Sequence, residues 1–348
     1  MLIDRIEGKW IDCFARAFEF SRVQPGDVVA ILSETLSRPL NVQLAELALL
    51  RLQAKPFHIV LPTPPQPVAV PIRSTGCSTA VQQIQPVMDA LASSSMVVDL
   101  TVEGMMHARE TPYLLKKKTR ILYVSNEHPE ILERLMPDPS LKPKIKHGVD
   151  LLRAAKEMHV TSAAGTDLRI RIDGAPCGGG WGAVEQPGTI DHWPGGIVVC
   201  FPRAGSINGT LVMDAGDMNL TFKRHLERPI RITIKNDFAV EIAGNGLDAE
   251  LMRSYFQVWG DDNAYAAAHV GWGMNPKARW DSLVMYDRGD TNGVEQRVFA
   301  GNFLYSTGAN EFANRFTLGH FDLPFRNCSI ALDGRTVVDQ GRLIGELA

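Results

Sequence analysis

The sequence predicts an α/β protein in two parts: an N-terminal parallel-sheet α/β domain (residues 1–160), followed by a mainly antiparallel, β-rich α+β metal-binding domain (residues 161–348). Three observations carry this. Through the first part, short continuous apolar runs alternate with helical patterns, as parallel strands covered on both faces require. The second part alternates polar and apolar residues and breaks at Asp-Gly and Asn-Asp, as hairpins with one wet face require. The change falls at His159-Val160-Thr161-Ser162, and 348 residues are enough for two ordinary cores.

The elements follow in order. Residues 28–32, all Val, Ala, Ile or Leu after the turn Pro25-Gly26-Asp27, read as a buried strand. Residues 40–54 place Leu and Ala at helical spacing, and residues 57–61, with His58 among them, read as the next buried strand. A Pro-rich stretch at 62–72 reads as one surface loop. A helix over 81–92, strands at 96–100 and 121–124, and a helix over 149–158 complete the first part. Neither GxGxxG nor a Walker sequence follows the first strand, so the dinucleotide and nucleotide-triphosphate fingerprints are absent. In the second part, residues 168–172 alternate and break at Asp173-Gly174. Residues 230–234 turn at Asn236-Asp237 and resume through 238–242. Residues 329–332 turn at Asp333-Gly334 and return through Val337-Val338.

Composition narrows the partners. With 45% hydrophobic and 22% charged residues the chain is ordinary for a globular protein, and a net charge of -3 offers no footprint for nucleic acid. The basic run Lys116-Lys117-Lys118 reads as a solvated helix end. No apolar run approaches the roughly 18 residues of a membrane span, and no signal peptide opens the chain. The five cysteines (Cys13, Cys77, Cys177, Cys200, Cys328) lack CxxC spacing, which predicts reduced thiols in a cytoplasmic protein, with Cys200 and Cys328 as small core residues.

Chemistry is concentrated in a few of the nine histidines. His320 and Asp322 sit two apart in an apolar, strand-like stretch, so both side chains point to one face. His269 precedes Val270-Gly271-Trp272-Gly273, after the helical run Tyr265-Ala266-Ala267-Ala268. Two imidazoles and a carboxylate with no thiolate are the minimal set for a mononuclear non-haem Fe(II) site with open positions. By spacing alone, His320 and Asp322 fit a surface pair on a strand equally well, and His269 fits a helix-end residue packed on Trp272. His192 lies in a loop punctuated by glycine and proline, beside Trp193. His107 follows the 96–100 strand, at the sheet edge where parallel sheets place ligands. His58, His128, His147, His159 and His225 read as structural or solvated.

These residues carry a resemblance. Gly165-Thr166-Asp167-Leu168 resembles a signature of the metallo-aminopeptidases typified by thermophilic leucyl aminopeptidases. A longer match is to one branch of that fold, the 2,5-dihydroxypyridine 5,6-dioxygenases of bacterial nicotinate catabolism. It rests on Asp191-His192-Trp193-Pro194, His269-Val270-Gly271-Trp272-Gly273, residues 301–308 and residues 320–327, with weaker similarity through the N-terminal half. The resemblance implies that His269, His320 and Asp322 bind Fe(2+), and that His107 and His192 hold or deprotonate a hydroxypyridine. It implies ring opening between C5 and C6 by O₂ to give N-formylmaleamate, and a homo-oligomer by analogy with the fold family. The alternative is an aminopeptidase-like hydrolase with two metals. Its Pro-x-Gly-Glu glutamate is missing here, leaving Glu185, Asp191 and Glu250 as acidic candidates. A non-catalytic α/β binding protein fits the fold but leaves four histidines unexplained.

Overall fold

A computed structural model describes residues 5–70 and 76–348. Positions 71 and 72 of the Pro-rich stretch lie outside the described residues; 62–70 runs without helix or strand.

The first sheet is parallel throughout. It contains β1 (Val28–Glu34), β2 (Lys55–Leu61), β3 (Met96–Asp99), β4 (Arg120–Val124) and β8 (Ile190–Trp193), in the order β2-β1-β3-β4-β8. Val29 and Ile31 face α1 (Gly8–Phe20) and α2 (Pro39–Arg51), while Ala30 and Leu32 face α3 (Gln85–Ala92) and α4 (Thr111–Lys116). Both faces are therefore dry, which is why these strands read as unbroken apolar runs. In α1, Trp10, Phe14, Ala17 and Phe18 form the buried stripe, and the Phe14 ring meets Trp193 at 4.9 Å. The edge strand β2 departs from expectation. It is only partly covered, and His58 is exposed, 3.5 Å from Glu46, instead of buried.

The second sheet has eight antiparallel strands: β5 (Glu157–Ser162), β6 (Asp167–Arg171), β10 (Ile207–Met213), β13 (Ile230–Lys235), β14 (Phe238–Ala243), β18 (Cys328–Leu332), β19 (Arg335–Asp339) and β20 (Arg342–Leu343). Two of the three predicted hairpins are present, whereas the break at Asp173-Gly174 ends β6 without one. Asn236 and Asp237 (φ 48° and 79°) join β13 to β14, and Asp333 and Gly334 (φ 47° and 83°) join β18 to β19. Two successive left-handed residues match the right-handed twist of the strands they connect. A short ribbon of β11 (Met218–Asn219) and β12 (Arg224–His225) stands apart.

The third sheet, also antiparallel, runs β17-β16-β15-β9-β7, from β7 (Cys177–Gly180), β9 (Ile197–Cys200), β15 (Ala267–Gly273), β16 (Phe303–Thr307) and β17 (Phe321–Phe325). Two further helices precede it in the chain, α5 (Pro129–Arg134) and α6 (Leu141–Ala154). The expected helix over 149–158 is α6, displaced toward the N-terminus. Leu141, Ile145, Val149 and Leu152 form its buried stripe, and from Glu157 onward burial switches to period two. Helix α6 rests directly on the third sheet because glycines face it. A Cβ on Gly148 would lie 2.9 Å from Val198, and one on Gly179 would lie 2.7 Å from Ile145. Two later helices, α7 (Leu247–Trp259) and α8 (Val294–Val298), flank this sheet.

The chain crosses between the two parts more than once. Helix α6 precedes residue 160 yet packs on the third sheet, and β8 follows it yet completes the first sheet. That crossing brings the edge of the parallel sheet against the third sheet. Among the described residues, no helix is long and apolar enough to cross a membrane.

Candidate metal centre

The third sheet packs one face on the main core and, on the other, carries buried polar groups beside an apolar patch under α8. Phe321, Leu323 and Phe325 of β17 point into the core with Tyr305 and Phe303, so Asp322 points away from it. His320, immediately before the strand, falls on the same side by the two-residue period. Its Nε2 stands 3.3 Å from Asp322 Oδ2. Gly76 is packed against this ring, where a Cβ would come 2.8 Å from His320 Cγ.

His269 reaches the same place by a different route. The expected helical run before it is a strand instead: residues 267–273 are all buried between β16 and β9, and that burial overrides the helix preference of three alanines. The ladder with β16 slips between Ala267 and Val270, which pair with Thr307 and Tyr305, so β15 carries one extra residue there. Such a bulge re-aims a side chain. Val270 returns to the core, while His269 Nε2 lies 3.8 Å from Asp322 Oδ1.

The first sheet supplies the other two histidines. His107 comes from the segment leaving β3, and its ring stacks on His269 (centroids 5.7 Å, interplanar angle 16°) and lies 5.5 Å from His320. The segment is held by Asp99. This fully buried carboxylate accepts from the Thr101 amide at 3.0 Å, the Thr101 hydroxyl at 2.7 Å and the Met105 amide at 2.6 Å. His192 is not in a loop as the sequence predicts but in β8, opposite Tyr123 of β4. Its Nδ1 lies 2.6 Å from the Pro194 carbonyl. A carbonyl only accepts, so Nδ1 carries the hydrogen and Nε2 of the neutral ring is an acceptor.

One nitrogen each from His107, His269 and His320 lies within 4.8 Å of the others, and this is the one metal-capable group of three or more among the described residues. Burial first, then each other's presence and that of Arg297, keeps two of these rings neutral. His107 is pushed down to about 3 and His269 to about 4, although Asp322 opposes the shift. His192 is close enough to add to the effect on His269. Burial would raise Asp322, but Arg297, His320 and His269 together hold it well below the usual carboxylate range. Arg297 Nε donates to Asp322 Oδ2 at 2.5 Å, and the Ser306 hydroxyl donates to Oδ1.

This donor set fits a cation. Neutral imidazoles and an ionised carboxylate converge and, among the described residues, no thiol joins them and His269 Nδ1 is buried with no hydrogen-bond partner. A second acidic site is another matter. Asp191 is spent on the backbone amides of Trp181, Gly182 and His192, Glu185 pairs with Arg22 and Lys142, and Glu250 is exposed on α7.

Sequence reasoning missed Arg297, Ser306, Asp99 and Phe201, whose ring lies 5.6 Å from His269. Arg297 sits in α8 with no local pattern to mark it. Ser306 is marked only by its pairing opposite Asp322.

Comparison with known proteins gives the family. The profile of the 2,5-dihydroxypyridine 5,6-dioxygenase family matches residues 9–345. A 2,5-dihydroxypyridine 5,6-dioxygenase of Pseudomonas putida is 36% identical over 335 residues, covering 95% of each chain. The structure of 2,5-dihydroxypyridine dioxygenase from Pseudomonas putida KT2440 superposes with a TM-score of 0.92 at 34% identity, covering 97% of this chain and 98% of that one. AmpT from Thermus thermophilus superposes at 0.64 with 13% identity over 97% and 99% of the two chains, a likeness of fold. The chain belongs to the 2,5-dihydroxypyridine 5,6-dioxygenase family.

Proposed function

We propose that this protein is a non-haem Fe(II) dioxygenase that opens 2,5-dihydroxypyridine between C5 and C6 with O₂, giving N-formylmaleamate. The observation that carries the reading is the convergence of His107, His269 and His320 beside Asp322, in a chain of this family. His269, His320 and Asp322 hold the metal, and His107 and His192 address the substrate. Fe(II) bound there supplies the redox chemistry by which a closed-shell ring reacts with O₂.

The chain's own groups do the rest. Arg297 and Ser306 fix the Asp322 carboxylate from behind, setting its orientation. His192, with Nδ1–H committed to the Pro194 carbonyl, offers Nε2 to take the proton of a ring hydroxyl and later return it. His107 is neutral and stacked on His269, placed to hold the ring's other polar end. Phe201 sets an apolar ring against His269 and His107.

A second assignment of the metal ligands has its own support. The three imidazoles form the tighter group, and both oxygens of Asp322 already accept hydrogen bonds, so His107 can serve as third ligand with Asp322 behind. Metal content separates the two. Asp322→Ala empties the site in the first assignment, and His107→Ala empties it in the second. The hydrolase alternative lacks support, since none of Glu185, Asp191 and Glu250 joins the group.

The reaction is tested by reconstituting the protein with Fe(II) under argon, then following oxygen and the pyridine ultraviolet band on adding 2,5-dihydroxypyridine. Oxygen uptake equal to ring loss, with N-formylmaleamate as product, is expected. Peptide turnover under argon with zinc or cobalt would overturn the proposal.

A further inference from the structure

Cys177 and Cys200 take no part in the chemistry above. They are direct partners across the antiparallel ladder of β7 and β9. The Phe201 amide donates to the Pro176 carbonyl at 2.9 Å, so the ladder bonds flank the cysteine pair instead of joining it. In such a non-hydrogen-bonded pair the α-carbons stand about 4.5 Å apart and the side chains approach most closely. That spacing falls inside the window of roughly 4.4–6.8 Å found for disulfides. Both side chains point to the face covered by α6: Cys200 lies in that core with Cys177 packed against it, and Gly179, two residues along, meets Ile145 and Val149. The two thiols are neighbours on that face, and the Cys177 thiol donates to the Ala175 carbonyl at 3.2 Å.

Access and reactivity differ between them. Cys177 is half buried on the edge strand of the sheet, and Cys200 is buried inside it. The contact with Cys200, and Arg153 beside it, lower the Cys177 thiol against the opposing effect of burial, while Cys200 is raised. Cys177 is thus the sulfur that an external reagent meets first, and the readier of the two to ionise.

The placement has a consequence for the site. Between the two cysteines the chain leaves the third sheet, contributes β8 with His192 to the first sheet, and returns as β9. We propose that Cys177 and Cys200 are a reversible oxidation site, forming a disulfide that closes the base of the excursion carrying His192, with a low-molecular-weight disulfide as oxidant. The Cys177 thiolate attacks one sulfur of RSSR and releases one RS⁻. Cys200 gives up its proton and attacks the Cys177 sulfur of the mixed disulfide, releasing the second RS⁻. The protein loses two electrons and two protons, and the oxidant becomes two RSH. The strands are already paired, so closure needs no change of register.

The test places the iron-loaded enzyme in glutathione buffers of graded oxidised-to-reduced ratio, unfolds it in guanidinium with N-ethylmaleimide present so that buried free thiols are blocked too, and maps the peptides by mass. Cys177 and Cys200 should leave the alkylatable pool together, appear in one cross-linked peptide, and return with dithiothreitol. In Cys177→Ser, Cys200 should stay alkylatable at every ratio. A glutathione adduct persisting on Cys177 with Cys200 free would overturn the proposal. So would both thiols remaining alkylatable in oxidised glutathione alone. The wild-type map decides the matter without the variant.

Discussion

The two sheets that meet at the site hold their side chains by different means. On the third sheet, Asp322 and His269 sit within hydrogen-bonded ladders, and His320 is one residue outside one. Register and a bulge aim them, and Arg297 and Ser306 lock the carboxylate. On the first sheet, His107 rides on a segment beyond the end of a strand, and His192 on a four-residue edge strand. Their aim depends on individual hydrogen bonds, from the Met105 amide to Asp99 in the segment of one and from the ring Nδ1–H of the other to the Pro194 carbonyl. The proposed roles follow that difference as a division of labour: the groups proposed to hold the ion stand on the stiffer frame, and those proposed to exchange protons with a transient ligand stand on the edge of the other.

The sharpest way to break this comparison is to separate metal content from turnover. His320→Ala should lose both bound iron and all detectable ring opening. His192→Ala should keep its iron, as measured by metal analysis, while kcat falls by about 10²–10⁴-fold, the usual worth of a positioned acid–base group. If His192→Ala also loses iron, the two sheets do not divide the work.

A smaller effect is expected one layer out. Asp99→Asn keeps an oxygen for Thr101 but turns an amide hydrogen toward the Met105 amide, leaving a buried donor unmet. Turnover should fall about tenfold, which corresponds to roughly 1.4 kcal/mol, with iron content unchanged. In the His107→Ala background the same substitution should cost little more, because it acts through His107. Additive losses would show that Asp99 supports something else.

The mildest test is acidification of the metal-free protein. His107 and His269 are held at about 3 and about 4, against an ordinary value of 6.5. Below that ordinary value the unfolded chain binds protons that the folded chain refuses, so these two rings remove stability as pH falls toward 4. Asp99 and Asp217, raised mainly by burial to about 6 and about 7, work in the opposite sense. The diagnostic is therefore a difference: between pH 6.5 and 5.5 the melting temperature of His107→Gln should drop less than that of wild type, by about 1–3 °C. Parallel melting curves would mean that the His107 ring titrates normally.

Much of this was legible in the residues. His320 and Asp322 share a face because a strand has a period of two, and that needed no tertiary information. The position of His107 followed from the rule that parallel sheets present ligands at their C-terminal edge. The reading faltered where local preference met a distant partner. Three alanines before His269 suggested helix, yet strands on both sides made them a buried ladder. His192 looked like a loop residue because four residues cannot announce a strand whose partner, β4, lies some 70 residues earlier.

What the sequence determined alone is the inventory and its local geometry: apolar runs for a sheet buried on both faces, alternating strands with left-handed turns, and a histidine and carboxylate on one side of β17. Those properties depend on backbone dihedrals and neighbours within a few residues. The tertiary structure decided which distant groups meet. It brought β8 across to the first sheet, slipped β15 by one residue to turn His269 toward Asp322, and set Arg297 and Ser306 behind the carboxylate. The reason is physical: pairing between strands and burial of a charge are settled by partners far apart in the chain, and no local preference encodes them.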